Sequence, residues 1–162
     1  GSVILAISAK IKIPFYPVPM TMQTFVVLLL GIGLGYKIAL ASVFLYLLEG
    51  ILGLPVFSNS PERGVGLTYF TGPTMGYLIG FLTASYFVSY VRKEDNYLMI
   101  FIKLIFAVST IYLLGILWLG TVIGWDKPLI ELGILPFLLA EIFKISLLTI
   151  LAKKILEFRK FI

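Results

Sequence analysis

The sequence predicts an all-α, polytopic membrane protein, one domain over residues 1–162 folded as a bundle of about six transmembrane helices. Composition is the first reason. Of 162 residues, 60% are hydrophobic and only 13% charged, against about a quarter charged in soluble domains. Mean hydropathy, at +1.06, is the second. The third is a recurrence of long apolar runs separated by short breaks rich in Pro, Gly and charge. A soluble core of this size has no room for so much apolar surface, whereas lipid accepts it. A spanning helix with its turn takes roughly 25 residues, which allows six at most.

The first apolar run, residues 3–13, has 11 residues and covers roughly 16 Å at helical rise, about half a bilayer. A first helix lacking its N-terminal part is therefore expected. Pro14, Pro17 and Pro19 follow as a stiff turn, because proline removes donors and restricts its predecessor. A second helix is predicted over 20–34 and a third over 36–52, divided by the tight Gly33-Leu34-Gly35 break. Residues 53–71 form the longest polar connection, with Asn59, Pro61, Glu62 and Arg63, and its 65–70 portion is apolar enough to dip back toward the bundle.

The fourth helix is predicted over 72–91, and the charged break 92–96 separates it from the fifth, over 98–123. A loop with Trp125, Asp126, Lys127, Pro128 and Glu131 leads into the sixth, over 134–152. The tail, 153–162, mixes Lys153, Lys154, Arg159 and Lys160 with Leu156, Phe158 and Phe161, a basic amphipathic end suited to the headgroup region. Lys37, Arg92, Lys93, Lys153, Lys154, Arg159 and Lys160 would lie on one side; Lys10, Lys12, Arg63 and Lys127 on the other. Seven basic residues against four place both termini in the cytoplasm of a prokaryotic cell membrane, with the 53–71 connection facing outward.

With no Cys and no His, the chain lacks thiol nucleophiles, disulfides, imidazole acid–base groups and Cys/His metal sites. Its eight acidic residues are scattered. No P-loop, nucleophile elbow or dinucleotide fingerprint is present. Enzymatic activity and bound cofactors are thus not expected. The +5 net charge sits mainly at the ends of apolar runs, a membrane pattern that argues against nucleic-acid binding. If the chain moves a substrate uphill, the energy comes from partner subunits or an ion gradient.

Glu141 and Lys144 lie one turn apart on the sixth helix, near mid-depth, where an ionisable group is expensive and faces an interior or wet cavity. They either form a self-satisfied packing pair or contact a substrate. Gly72, Gly76, Gly80 and Ala84 recur at i+4 on the fourth helix, one face on which another helix, a ligand or a partner subunit approaches closely. Gln23 and Thr24 would bond neighbouring helices or a ligand. Glu49 suits headgroups, Arg63 suits solvent, and Tyr77 and Trp125 suit apolar walls near the outer face.

Four segments occur in order: Pro17-Val18-Pro19-Met20-Thr21-Met22-Gln23-Thr24-Phe25, Gly53-Leu54-Pro55-Val56-Phe57, Gly72-Pro73-Thr74-Met75-Gly76-Tyr77, and Pro136-Phe137-Leu138 with Glu141 and Lys144. Together they resemble the BioY family, the biotin-specific substrate-binding subunits of energy-coupling-factor transporters. The resemblance implies a six-helix fold with a biotin site near the outward face. It also implies a transmembrane coupling subunit and two ABC-type ATPases as partners. Carried onto this sequence, it gives Lys144, Glu141, Arg63 and Asn59 as biotin-binding candidates, to which the reading of the helices adds Tyr77 and Gln23. Glu141 stands where the family more often has Asp, and Met75 where it has glycine. The small-residue coupling motif expected in the first helix is replaced by Ala6 and Ala9, three apart. Rival readings are a stand-alone secondary transporter of a small vitamin-like molecule, a non-transporting membrane scaffold, and, least supported, a membrane-embedded enzyme.

Overall fold

A computed structural model describes residues 1–14 and 16–159; Lys160 and Phe161 of the predicted amphipathic tail lie outside them. The opening apolar run forms helix α1 (Ser2–Lys10). It stops short of the predicted residue 13 because Lys12–Ile13 (β1) pairs antiparallel with Met20–Thr21 (β2). This small hairpin around the three prolines was not foreseen. It sits where the helical pattern gives way to residues that cannot continue a ladder.

Helix α2 (Gln23–Ile51) contains one non-helical residue, Gly35, at φ 75° and ψ 170°, a backbone region that favours glycine. The chain doubles back there. Gln23 Nε2 donates to the Tyr46 hydroxyl at 2.7 Å, although 23 residues of straight helix would separate them by about 35 Å. The two halves are thus the predicted second and third helices, with their break where Gly33-Leu34-Gly35 put it. Helix α3 (Leu67–Phe70) is the predicted inward dip and buries Tyr69. Helix α4 (Met75–Val88) is shorter than predicted. Its start waits for Pro73 to pass, and its end tightens into i→i+3 bonds at Ser89, Tyr90 and Val91.

Asn96 caps helix α5 (Tyr97–Ile123), its side chain accepting from the Met99 N–H at 2.8 Å. The buried positions Ile100, Leu104, Ala107, Val108, Ile111, Gly115 and Leu119 recur at helical spacing, giving α5 one inward stripe. The short α6 (Leu129–Gly133) precedes α7 (Leu135–Phe158). Instead of ending at 152 to start a surface tail, α7 continues another turn and a half. Leu156 is buried there and Ile155 lies against Gly33, so the apolar face persists.

Helices α5 and α7 are each long and apolar enough to cross a membrane, α2 reaches that length only as two halves folded back at Gly35, and α4 is a shorter apolar helix. With α1 and the two halves of α2, the architecture is the predicted bundle of about six helices. Its polarity is inverted relative to a soluble protein. On α7 Leu139 is 82% and Phe143 69% exposed while Glu141 and Lys144 are buried, an arrangement that lipid favours and water does not.

The glycine stripe of α4 meets α5. A Cβ on Gly76 would lie 2.4 Å from Trp118 Cβ, and one on Gly80 2.6 Å from the Ile111 Cα, so the two backbones approach as closely as side chains permit. Trp118 Nε1 also donates to the Gly72 carbonyl at 2.9 Å, fixing the turn before α4. Charges gather at two ends. Arg159 lies against Gly35 and Lys93 pairs with Glu157 at one end; Lys10, Lys12 and Arg63 lie around the hairpin at the other.

Candidate functional site

Helix α7 presents Glu141 and Lys144 to the start of α2. Lys144 Nζ donates to Glu141 Oε1 at 2.8 Å, to Thr24 Oγ1 at 3.0 Å and to the Thr21 carbonyl at 2.7 Å. These three bonds exhaust an ammonium group. The Thr24 hydroxyl donates to the same Glu141 oxygen at 2.8 Å. Glu141 and Lys144 are 4% and 5% exposed. The pair is asymmetric: Lys144 is saturated, whereas Glu141 Oε2 has no hydrogen-bond partner. The Tyr112 hydroxyl stands close to this carboxylate without completing a bond to that oxygen.

Glu141 forms part of a cavity enclosed by the hairpin, the start of α2, α4, α5 and α7. Its walls are largely apolar, from Val18, Pro19, Leu78, Phe81, Ile111 and Phe137, with Tyr69, Tyr77 and Tyr112 adding rings. Thr21, Gln23, Thr24, Ser58, Thr74 and Glu141 supply the polar points. Among the described residues, two buried side-chain polar atoms lack a partner, Glu141 Oε2 and Ser58 Oγ, and both residues line this cavity. Buried polar groups are ordinarily satisfied. Two orphans in one apolar cleft leave it with unused hydrogen-bonding capacity, a feature that small-molecule sites share.

Of the six residues selected from the sequence, Glu141, Tyr77 and Gln23 line the cavity. Tyr77 is held by its hydroxyl, which donates to the Gly133 carbonyl at 2.9 Å, and its ring packs where Gly115 has no side chain. Gln23 bridges Thr21 and Tyr46, so the helix-bonding and cavity-lining alternatives both describe it. Lys144 stands behind Glu141, facing the groove between the hairpin and α7. Asn59 and Arg63 line a smaller pocket that shares Tyr69 and Thr74 with the main cavity. Arg63 is not a free surface cation: it donates to the Pro17 carbonyl at 2.9 Å and lies over the Tyr16 ring.

Two further expectations change. Glu49 accepts from Ser2 Oγ at 2.9 Å instead of reaching headgroups. Trp125 lies on Gly120, away from the cavity wall.

Sequence reasoning missed Ser58, Tyr69, Thr74 and Tyr112. Tyr112 was one aromatic among many, though it adjoins Ile111 on the inward stripe of α5. Tyr69 sits in the apolar dip, and Thr74 within Gly72-Pro73-Thr74, so both had a local signal. Ser58 had none, being one small polar residue in a polar loop.

Comparison with known proteins gives a consistent result. The model of the BioY family matches residues 1–161. A protein of Pyrococcus horikoshii named as a probable biotin transporter BioY is 35% identical over 150 residues, covering 93% of this chain and 88% of that protein. The biotin transporter BioY of Thermotoga maritima is 31% identical over 153 residues, covering 94% and 89%. The crystal structure of the S-component for biotin from an ECF-type ABC transporter superposes with a TM-score of 0.79 at 25% identity, over 96% of this chain and 86% of that one. With a family model spanning nearly every residue and a shared fold, the chain belongs to the BioY family.

Proposed function

We propose that this chain captures biotin within the membrane, as the substrate-specific subunit of an ECF-type importer. The observation that carries the reading is the mostly apolar cavity whose lining residues hold the two orphaned buried atoms, Glu141 Oε2 and Ser58 Oγ. Biotin has an apolar bicyclic body, ureido N–H donors and a carboxylate. Glu141 Oε2 is an acceptor for a ureido N–H, and Lys144 holds that carboxylate in orientation. Tyr77 and Phe137 supply apolar wall. Gln23 fixes the start of α2. Asn59 and Arg63, in the adjoining pocket, suit the carboxylate end.

Membership in a transporter family supports transport of the ligand rather than chemistry on it. The superposed S-component belongs to an ECF-type ABC transporter, and the present sequence has no nucleotide motif of its own. A transmembrane coupling subunit and two ABC-type ATPases are therefore the proposed partners. The seven-to-four bias of Lys and Arg supports cytoplasmic termini, with the cavity end outward.

The test is a thermal-shift and titration series on purified protein with biotin, desthiobiotin and lipoate, joined to uptake in cells lacking all coupling ATPases. Saturable, selective stabilisation by biotin and no uphill accumulation without the ATPases are expected. Absence of biotin stabilisation would sink the ligand assignment, and uphill accumulation without ATPases would sink the partner assignment.

A further inference from the structure

The segment over the cavity is stitched to the bundle by two lysines that do not themselves line the cavity. Lys10, at the end of α1, donates to the carbonyls of Phe57 and Ser60, each at 2.8 Å. Lys12, in β1, donates to the Ser58 carbonyl at 2.7 Å and to Asn59 Oδ1 at 3.0 Å. Every residue from 57 to 60 is thus bonded to one ammonium group or the other. This segment bears Ser58, which lines the cavity with an unpartnered hydroxyl, and Asn59, which lines the pocket beside it.

All four acceptors are neutral and both lysines are exposed. Bonds from a charged donor to a neutral acceptor are stronger than neutral pairs. Because both ammonium groups stand on exposed residues, the bonds can open without leaving a buried charge, although Phe57, Ser58 and Ser60 themselves are buried. That is the behaviour of a reversible fastening. The segment is also held by Phe57, stacked on Tyr69 at 4.6 Å and edge-on to Tyr46 at 5.3 Å, and by the Asn59 carbonyl, which accepts from the Arg63 N–H at 2.7 Å.

We propose that Lys10 and Lys12 are the latch of the cavity. They hold residues 57–60 over it, and the opening of their four bonds sets the rate at which ligand enters and leaves. The ligand half of this inference rests on the functional reading above; the latch half does not.

The experiment compares wild type with Lys10→Met/Lys12→Met and Lys10→Arg/Lys12→Arg in lipid nanodiscs. Hydrogen exchange is read at the Ser60 and Arg63 amides, which donate to the Phe57 and Asn59 carbonyls, with α5 amides as the folding control. Biotin association and dissociation rates are read in parallel. The methionine pair is expected to exchange about tenfold faster or more across 57–63, with α5 unchanged. Both biotin rates should rise together by a similar factor while Kd moves less, a kinetic split that simple damage to the site does not produce. The arginine pair should stay within about threefold of wild type.

Exchange across 57–63 within twofold of wild type in the folded methionine variant would overturn the latch. Faster exchange with unchanged biotin rates would overturn its role as a gate. If the wild type binds no biotin, the functional reading falls and the exchange result alone decides the latch. Should the double variant not fold, Lys12→Met is measured by the same criteria.

Discussion

Replacing Lys144 by Met, Glu141 by Gln, and both together forms a cycle that separates the packing role of this pair from a ligand role. Lys144→Met removes the donor that makes three of the site's buried bonds. It leaves Glu141, already with one orphaned oxygen, supported by Thr24 alone. Stranding one member of a buried pair costs about 3–5 kcal/mol. The double variant carries neither charge. Its main debt is the Thr21 carbonyl, about 1–3 kcal/mol for an unsatisfied group. The double variant should therefore be more stable than Lys144→Met.

Affinity should follow a different pattern. Glu141→Gln removes a charged acceptor from the cavity wall, a loss of about 1.5–3 kcal/mol, or roughly 10- to 150-fold in Kd. Because Lys144 is saturated by protein acceptors, adding Lys144→Met to Glu141→Gln should weaken binding little further. Thermal unfolding in detergent and biotin titration of each variant read the two patterns. A folded double variant that binds biotin within a factor of two of wild type would refute the ligand role and leave a pair that serves packing only. A further tenfold loss on adding Lys144→Met would refute the assignment of Lys144 as a positioning residue, because it would then touch the ligand itself.

Gly80→Ala should destabilise the protein by about 1–3 kcal/mol, since the new Cβ would lie 2.6 Å from backbone at Ile111; an unchanged thermal midpoint would mean that α4 and α5 are not so closely packed. In the 92–96 break, partial burial pushes the Asp95 carboxyl up. The bonds from Lys103 and the Arg92 N–H, and their charges, outweigh that and hold it below its ordinary value. A depressed carboxyl contributes stability above its unfolded pKa and loses it as pH falls through the folded one. Asp95→Asn should accordingly lower the thermal midpoint at about pH 6, with the difference vanishing as pH falls through the lowered folded value, and a pH-independent difference would contradict this.

The helices were legible because lipid imposes one requirement on every residue of a span. Long apolar runs, a glycine that permits the turn at Gly35 and a charged break at 92–96 placed both halves of α2, α5 and the start of α7 closely, and α4 within a few residues. What escaped was set by contacts across the sequence. Lys12–Ile13 pairs with Met20–Thr21 around three prolines, and no periodicity over two-residue strands announces that. The continuation of α7 past 152 depends on Ile155 finding Gly33 on another helix. A basic tail gives no sign of such a partner.

The site divides along the same line. That Glu141 and Lys144 share a face follows from their spacing, and that they face inward follows from their depth. Which of them lines the cavity does not follow from either. It is decided by Thr21 and Thr24, more than a hundred residues earlier. The turn out of β2 leaves the Thr21 carbonyl free of the ladder and aimed at Lys144, and Thr24 adds a second acceptor. Three protein acceptors then satisfy the cation, and only the acid retains an open valence. The hairpin that the sequence concealed thus helps leave Glu141, rather than Lys144, with an unpartnered polar atom beside the cavity.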